Sequence, residues 1–344
     1  MAGLVAGARA RELGAEVVVH EKGPRPGGSM ALSSCFVWRY REWERFRAEC
    51  AAGEPALQRA VWEGLDDALA WLERLGAPVV KRETGNPLTT GIRFDPQGLT
   101  ETLARRVGDL RLGEPLTEIP DGVAVLLATG GFQGDVELVR RFVTPEAANL
   151  VLRANPWSSG DGLRLAREAG ARESAGLDEF YGRNLAAAPQ ISADAFVSLA
   201  QVYARHARVE NLNGEPYEAR TWSEIDVVQW TARQPGARAR YVVPDDVLAE
   251  RVRERTVADV IETARAAGAP VERGGGVTVV EVIAGITTTL GGIAIDDRGR
   301  AADGVWAAGA DAGGISTGGW SSALASALVF GLRAAEDAVG PRKF

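Results

Sequence analysis

Four short stretches carry residue types whose spacing can do chemistry. The first runs from Gly3 to Glu21. In a dinucleotide-binding β-α-β unit, glycines let a helix start close to a strand and point its N-terminus at phosphates. An acidic residue about 20 positions on, at the end of the next strand, takes ribose hydroxyls. Gly3 fits the third glycine of G-x-G-x-x-G, and Glu21 follows 18 residues later, closing AEVVVHE. A plain helix followed by a strand has the same look. The chain opens at Met1-Ala2-Gly3, inside the motif. The motif's spacing leads us to expect roughly ten further residues at the front of the complete form, carrying the first strand and the first two glycines. The second stretch is Pro26-Gly27-Gly28-Ser29 with Ser33-Ser34, where amides and hydroxyls can line a phosphate or a ring, or simply form a surface turn. The third is Ala128-Thr129-Gly130-Gly131 after the apolar VAVLL, where small residues let a ligand lie on bare backbone or let the strand bend into a loop. The fourth runs from Trp306 to Leu324, with five glycines between Gly309 and Gly319 and two serines opening a helix. Glycines this dense lose much entropy on folding, and a serine-capped helix N-terminus favours anions.

Elements must position these stretches. Residues 3–14 read as a small-residue helix ending at Gly14, and Val17–Val19 as a buried strand closing on Glu21. A Gly/Ser loop over 24–36 precedes a helical span over 37–76. FDPQGLTETLARRVGD reads as a loop and helix, 121–132 as a strand, and NPWSSGDGLRLAREAGA as a turn and helix. From about 176 to 285 the style changes to short strands (FVSLAQVYA, RYVV) and a helix around 249–267. The first style then returns with the strand VWAAG and a long helix, Ser321–Val339. A second domain is inserted into the first.

Composition bounds the function. At about 150 residues per domain, 344 residues give about two domains. The 46% hydrophobic content excludes disorder, and the 41 glycines follow no collagen period. A net charge of −7 argues against a nucleic-acid partner. No apolar run is suited to spanning a bilayer, and no signal peptide is recognisable. Cys35 and Cys50 have neither metal nor redox spacing, so the expected compartment is a reducing cytoplasm with no iron–sulfur centre on this chain. With His20 and His206 the only histidines, no metal site is expected.

The order of GLVAGARARELGAEVVVHEKG, GGSMALSS, LLATGGF, SSGDGLRLAREAGA, TTTLGGIAIDDRGR and WAAGADAGG…SSALASALVFG resembles the FAD-dependent fumarate reductase/succinate dehydrogenase flavoprotein family, with its 3-ketosteroid and tricarballylate dehydrogenase branches. The likeness covers nearly the whole chain. It implies an α/β fold: a Rossmann-like FAD-binding domain from residues 1–175 and 286–344, and an inserted α+β cap domain over 176–285. It further implies FAD as cofactor, an oxidoreductase acting on CH–CH groups, a small-molecule substrate and a separate electron acceptor. By the family pattern Gly3 opens the helix at the cofactor, while Glu21, with Lys22 beside it, takes the adenosine ribose. Gly28, Ser29, Ser33 and Ser34 approach the pyrophosphate and flavin. Ala128, Thr129 and Gly130 line the adenosine side, and Asp161 contacts the cofactor. Gly309 and Asp311 hold the ribitol and pyrophosphate, and Ser322, Ala323 and Leu324 face the pyrimidine end of the flavin.

Two departures stand out. The family's substrate-binding His before T-x-G-G is Thr288 here, and its proton-donating Arg is Pro216. Fumarate reduction is therefore not expected. Tyr181 and Tyr217 are the candidates for proton transfer, and Arg183 and Arg233 for holding a polar group; each also fits ordinary packing or exposure. Trp157, Trp222, Trp230 and Trp320 lean towards a bulky, apolar substrate. Two other readings compete with the flavoenzyme: a flavin-free relative acting as a binding protein, and a two-domain NAD(P) dehydrogenase.

Overall fold

The computed structural model describes residues 1–218 and 223–340, so Trp222 lies outside the described residues. The chain divides into two compact units: residues 1–135, 155–179 and 288–344, and residues 136–154 and 180–287. Residues 136–154, placed with the first domain from sequence, fall in the second unit. There Val151–Leu152 pairs in parallel with the strand Val277–Thr289, and the Thr144 hydroxyl donates to the Ala232 carbonyl at 2.7 Å.

The first unit is α/β. Its N-terminal helix, Ala2–Glu12, is so small on its inner face that a methyl at Gly7 would stand 3.0 Å from Val19 and 3.3 Å from Val107. That closeness seats it on the strand Val18–Glu21 and on the helix Pro96–Val107, whose Asp95 cap accepts from the Gly98 amide. Val18–Glu21 runs parallel to Asp109–Leu112. A second parallel pair joins Val305–Ala307 to Val125–Leu127. The C-terminal helix, Ala323–Val339, packs on the N-terminal helix, where a side chain at Gly331 would meet the Ala2 carbonyl at 3.0 Å. A separate antiparallel sheet joins Phe36–Tyr40, Thr89–Phe94 and Val79–Lys81.

The second unit is α+β. Its long strand Val277–Thr289 alternates buried and half-buried residues and pairs antiparallel with Arg238–Pro244 and Val271–Gly274. Phe180–Ala186 joins the same strand, and the helices Glu224–Thr231 and Val257–Ala266 complete the unit around a core of Tyr203, Tyr241, Val280 and Val282.

Four local expectations change. The strand closing on Glu21 is half-open, not buried: among the described residues its only ladder partner is Asp109–Leu112, and Val18 is 46% exposed. The span from residue 37 begins as the strand Phe36–Tyr40, since its β-branched and aromatic residues pair with Thr89–Phe94 before helices start at Trp43 and Pro55. FVSLAQVYA is no strand; it buries Phe196, Leu199 and Tyr203 from irregular backbone, with a single bridge from Leu185 to Ala200. The helix expected around residues 249–267 is the shorter Val257–Ala266, because Arg251–Val252 and Arg255–Thr256 form a hairpin and Thr256 and Asp259 then close a capping box.

Candidate functional site

In the first unit the strand ends and helix starts meet almost without side chains. A methyl at Gly3 would come 3.4 Å from the Ala128 Cβ, and one at Gly309, where φ is +72°, would come 3.2 Å from the Ala2 Cβ. Gly3, Ala128, Thr129, Gly130, Gly309, Ala323 and Leu324 are all half-buried. The N-terminal helix has no side-chain cap, so its first amides keep their donors for a ligand. Glu21 uses Oε1 to accept from the Gly23 amide at 2.7 Å and keeps Oε2 as an acceptor. Bare backbone, uncapped amides and a carboxylate at the strand end suit the pyrophosphate and ribose of a dinucleotide.

Around this face, several expected ligand contacts are engaged with the protein. Lys22 donates from Nζ to Asp161 Oδ2 at 2.8 Å and to Ser159 Oγ at 2.6 Å, clamping the start of the helix Asp161–Glu168. Ser29 Oγ accepts from the amide and the side chain of Asn155, and Gly28 lies beside that side chain. Ser33 ties its own turn by donating to the Met30 carbonyl and accepting from the Cys35 amide, whereas Ser34 is exposed. Ser322 caps the last helix, accepting from the Ala325 amide at 3.2 Å. Asp311 points inward. Its Oδ2 accepts from the Thr129 amide, and its Oδ1 accepts from the Thr129 hydroxyl at 3.0 Å and the Gly131 amide at 2.9 Å. The Thr129 hydroxyl in turn accepts from the Gly162 amide at 3.0 Å. Burial pushes the Asp311 carboxyl up, against these hydrogen bonds. Asp311 thus shapes the loop's backbone rather than presenting a carboxylate. Its spacing signalled importance but not direction.

The second unit holds a basic cluster. Tyr181 and Arg183 project from the strand Phe180–Ala186, two residues apart and so on one face, and the Arg183 guanidinium lies 4.8 Å from the Tyr181 ring centroid. Arg153 hydrogen-bonds the Tyr181 phenol, donates from Nη1 to Thr287 Oγ1 at 2.9 Å, and keeps a buried Nε with no partner among the described residues. Arg253, held at φ +59° beyond the hairpin strand Arg251–Val252, adds a third positive charge. Burial works to raise the Tyr181 phenol, but Arg183, Arg153 and Arg253 outweigh it and hold it below the ordinary tyrosine value. Burial pulls Arg153 down, with the neighbouring Arg183 and Arg253 guanidinium groups adding to the effect, while Arg253 itself is exposed. Glu224, opening its helix, is pushed up to about 6 by burial, with Arg183 opposing, and accepts from the Ala204 amide at 3.2 Å.

Of the residues expected to act on substrate, the structure thus groups Tyr181 with Arg183. Tyr217 packs in the core against Trp230 at 5.4 Å between ring centroids, and exposed Arg233 donates to the Gln229 carbonyl at 3.1 Å within its own helix turn. Arg153, Arg253 and Glu224 were missed, because only folding brings them to Tyr181. Trp157 packs on Gly23, and Trp320 accepts the Tyr40 hydroxyl through its carbonyl at 2.8 Å.

The family model described as an FAD binding domain matches residues 1–112 and 116–322. Among solved structures, the open conformation of a flavocytochrome c3 fumarate reductase is 21% identical with TM-score 0.70, covering 98% of this chain and 76% of that one. The 3-ketosteroid-Δ4-(5α)-dehydrogenase of Rhodococcus jostii RHA1 is 16% identical with TM-score 0.72, covering 99% and 95%. The 3-ketosteroid Δ1-dehydrogenase of Sterolibacterium denitrificans is 15% identical with TM-score 0.72, covering 98% and 97%. These likenesses show a shared fold. No curated protein sequence matches the chain.

Proposed function

Because the chain belongs to the FAD-binding domain family, we propose that it is an FAD-dependent oxidoreductase acting at a carbon–carbon bond of a small organic substrate, by dehydrogenation or ene-reduction. The observation that carries this reading is the family match over residues 1–112 and 116–322, seated on a face whose residues fit the cofactor. Glu21 Oε2 takes the ribose hydroxyls, and the cradle of Gly3, Ala128 and Gly309 admits the pyrophosphate to uncapped helix amides. Bound there, FAD supplies a two-electron hydride acceptor or donor. Lys22 and Asp161 hold the rim of that face, and Asp311 sets the backbone of the Thr129–Gly131 loop. In this reading electrons leave to a separate acceptor. The flavin-free reading and the NAD(P) reading are not favoured, because the FAD family match spans both units.

Purified full-length chain should take up added FAD, measured by flavin absorbance after gel filtration. Glu21→Gln should weaken FAD binding about tenfold, the scale of one hydrogen bond to a charged group. A chain that stays colourless in excess FAD overturns the proposal.

A further inference from the structure

We infer that the second unit carries an anion site, built from Arg153, Arg183 and Arg253 around Tyr181, which takes a carboxylate-bearing portion of the substrate. The inference rests on the oxidoreductase reading for the word substrate, but not for the site. The geometry is that of a receptor. A guanidinium is seldom buried unless paired, and Arg153 has a buried Nε with no partner among the described residues. No ion pair among the described residues joins Arg153, Arg183 or Arg253 to a carboxylate, in contrast to Arg238 with Glu281 or Arg300 with Asp337. The other Arg153 bonds, to Thr287 Oγ1 and to the Phe196 carbonyl at 3.5 Å, orient the group without neutralising it. Arg183 is stacked on Tyr181 and donates from Nη1 to the Gly182 carbonyl at 3.2 Å, which leaves the rest of its planar fork for a ligand. Glu224 supplies a negative charge felt by Arg183 and Arg253, and burial raises its carboxyl, so it offsets those cations only partly.

Three guanidinium groups and a phenol are five-fold donors and a hydroxyl donor, respectively, and together suit carboxylate oxygens. They do not suit the wholly apolar surface that the tryptophans suggested. The residues concerned are also not the positions at which Thr288 and Pro216 replace the family's His and Arg. The site is a different solution, built wholly within the second unit, whereas Thr288 belongs to the first.

The test is isothermal titration of the full chain, FAD-loaded and unloaded, with citrate, succinate, acetate and 4-androstene-3,17-dione at low salt. Citrate should bind, succinate less tightly and acetate least, and raised salt should weaken all three. Arg183→Gln and Arg153→Gln should each weaken citrate at least tenfold, Arg183→Lys should recover part of the loss, and Arg233→Gln should change nothing. Circular dichroism and thermal melting confirm that the variants fold. Saturable binding of the steroid with no heat from citrate overturns the inference. So does citrate binding that Arg233→Gln weakens as much as Arg183→Gln, which would mark an adventitious ion only. Citrate binding in a chain that refuses FAD supports the site and sinks the oxidoreductase reading. FAD uptake without citrate binding does the reverse.

Discussion

Each unit draws charge at least partly out of water, and the two do so in opposite ways. In the first, the Asp311 carboxylate is buried and accepts from two backbone amides and the Thr129 hydroxyl, so its oxygens are satisfied from within. In the second, Arg153, Arg183 and Arg253 crowd Tyr181 with no carboxylate bridge among the described residues, and there one buried guanidinium nitrogen, Arg153 Nε, has no partner. A buried charge that the protein satisfies holds the fold; one that the protein leaves short of partners is kept for something that arrives. The contrast sets Asp311 among the fold's own hydrogen bonds, although its place in a glycine turn suggested the cofactor, and it supports the ligand role proposed for Arg183 and Tyr181.

The largest effect should come from Asp311. Asp311→Asn turns an NH2 group towards donors that need acceptors, and should destabilise the chain by about 3 kcal/mol in urea denaturation. It should do so with FAD absent, since the hub acts through the Thr129–Gly131 backbone. If stability is unchanged and only FAD affinity falls, Asp311 is a ligand contact and the contrast between the units fails.

Next in size is Glu224, the acid beside the unpaired cations. Its carboxyl stands at about 6, above the ordinary value of 4.5. A raised acid gives stability that is full below 4.5, the unfolded value, and lost as pH rises through about 6. Glu224→Gln stays neutral throughout, so at pH 7 it should be more stable than the parent by at most about 2 kcal/mol, with the two converging below pH about 4.5. The same charge bears on the anion site. The groups facing it are Arg183, Arg253 and Arg205, with Tyr203 and Tyr241 also near. Protonating Glu224 leaves those cations less opposed, so as pH falls through about 6 the parent should gain citrate affinity relative to Glu224→Gln, a ratio in which citrate's own protonation cancels. A ratio that stays flat across this range breaks the link between Glu224 and the site.

What the sequence disclosed follows the same division. The dinucleotide face is built from neighbours in sequence: a helix start, a strand end and glycine turns whose spacing is their geometry. The places of Gly3 at a helix start, Glu21 at a strand end and Ala128 just past another could therefore be read directly. Side-chain direction could not. Asp311 and Ser33 turn inward, because local donors claim them, and no spacing rule states that. The basic cluster was half legible. Tyr181 and Arg183 alternate on one strand and announce a shared face, but Arg153 reaches them only because Val151–Leu152 pairs beside Gly285 and Ile286. Arg253 comes from a hairpin far along the chain. Long-range pairing also explains the misplaced segment 136–154, which resembles the first domain in composition but is fastened to the second unit's strand.

The smallest effect is the most discriminating. Burial raises the phenols of Tyr40, Tyr203 and Tyr241, while Tyr181 alone of these four is held below the ordinary value. Tyrosinate absorbance on raising the pH should therefore show an early step that Tyr181→Phe abolishes. The groups setting that step are Arg153 by hydrogen bond, Arg183 by stacking, Arg253 by charge, and Glu224 through its own coupling to Arg183. A bound carboxylate adds negative charge among those cations and disfavours the tyrosinate. Citrate should therefore move the early step to higher pH, by a modest amount because the site is only half-buried. The first unit supplies the control: Tyr40 donates to the Trp320 carbonyl and shares no charge with the cluster, so its late ionisation should not respond to citrate. If citrate binds and the early step does not move, the anion sits elsewhere, and the three arginines crowd Tyr181 for reasons of packing alone.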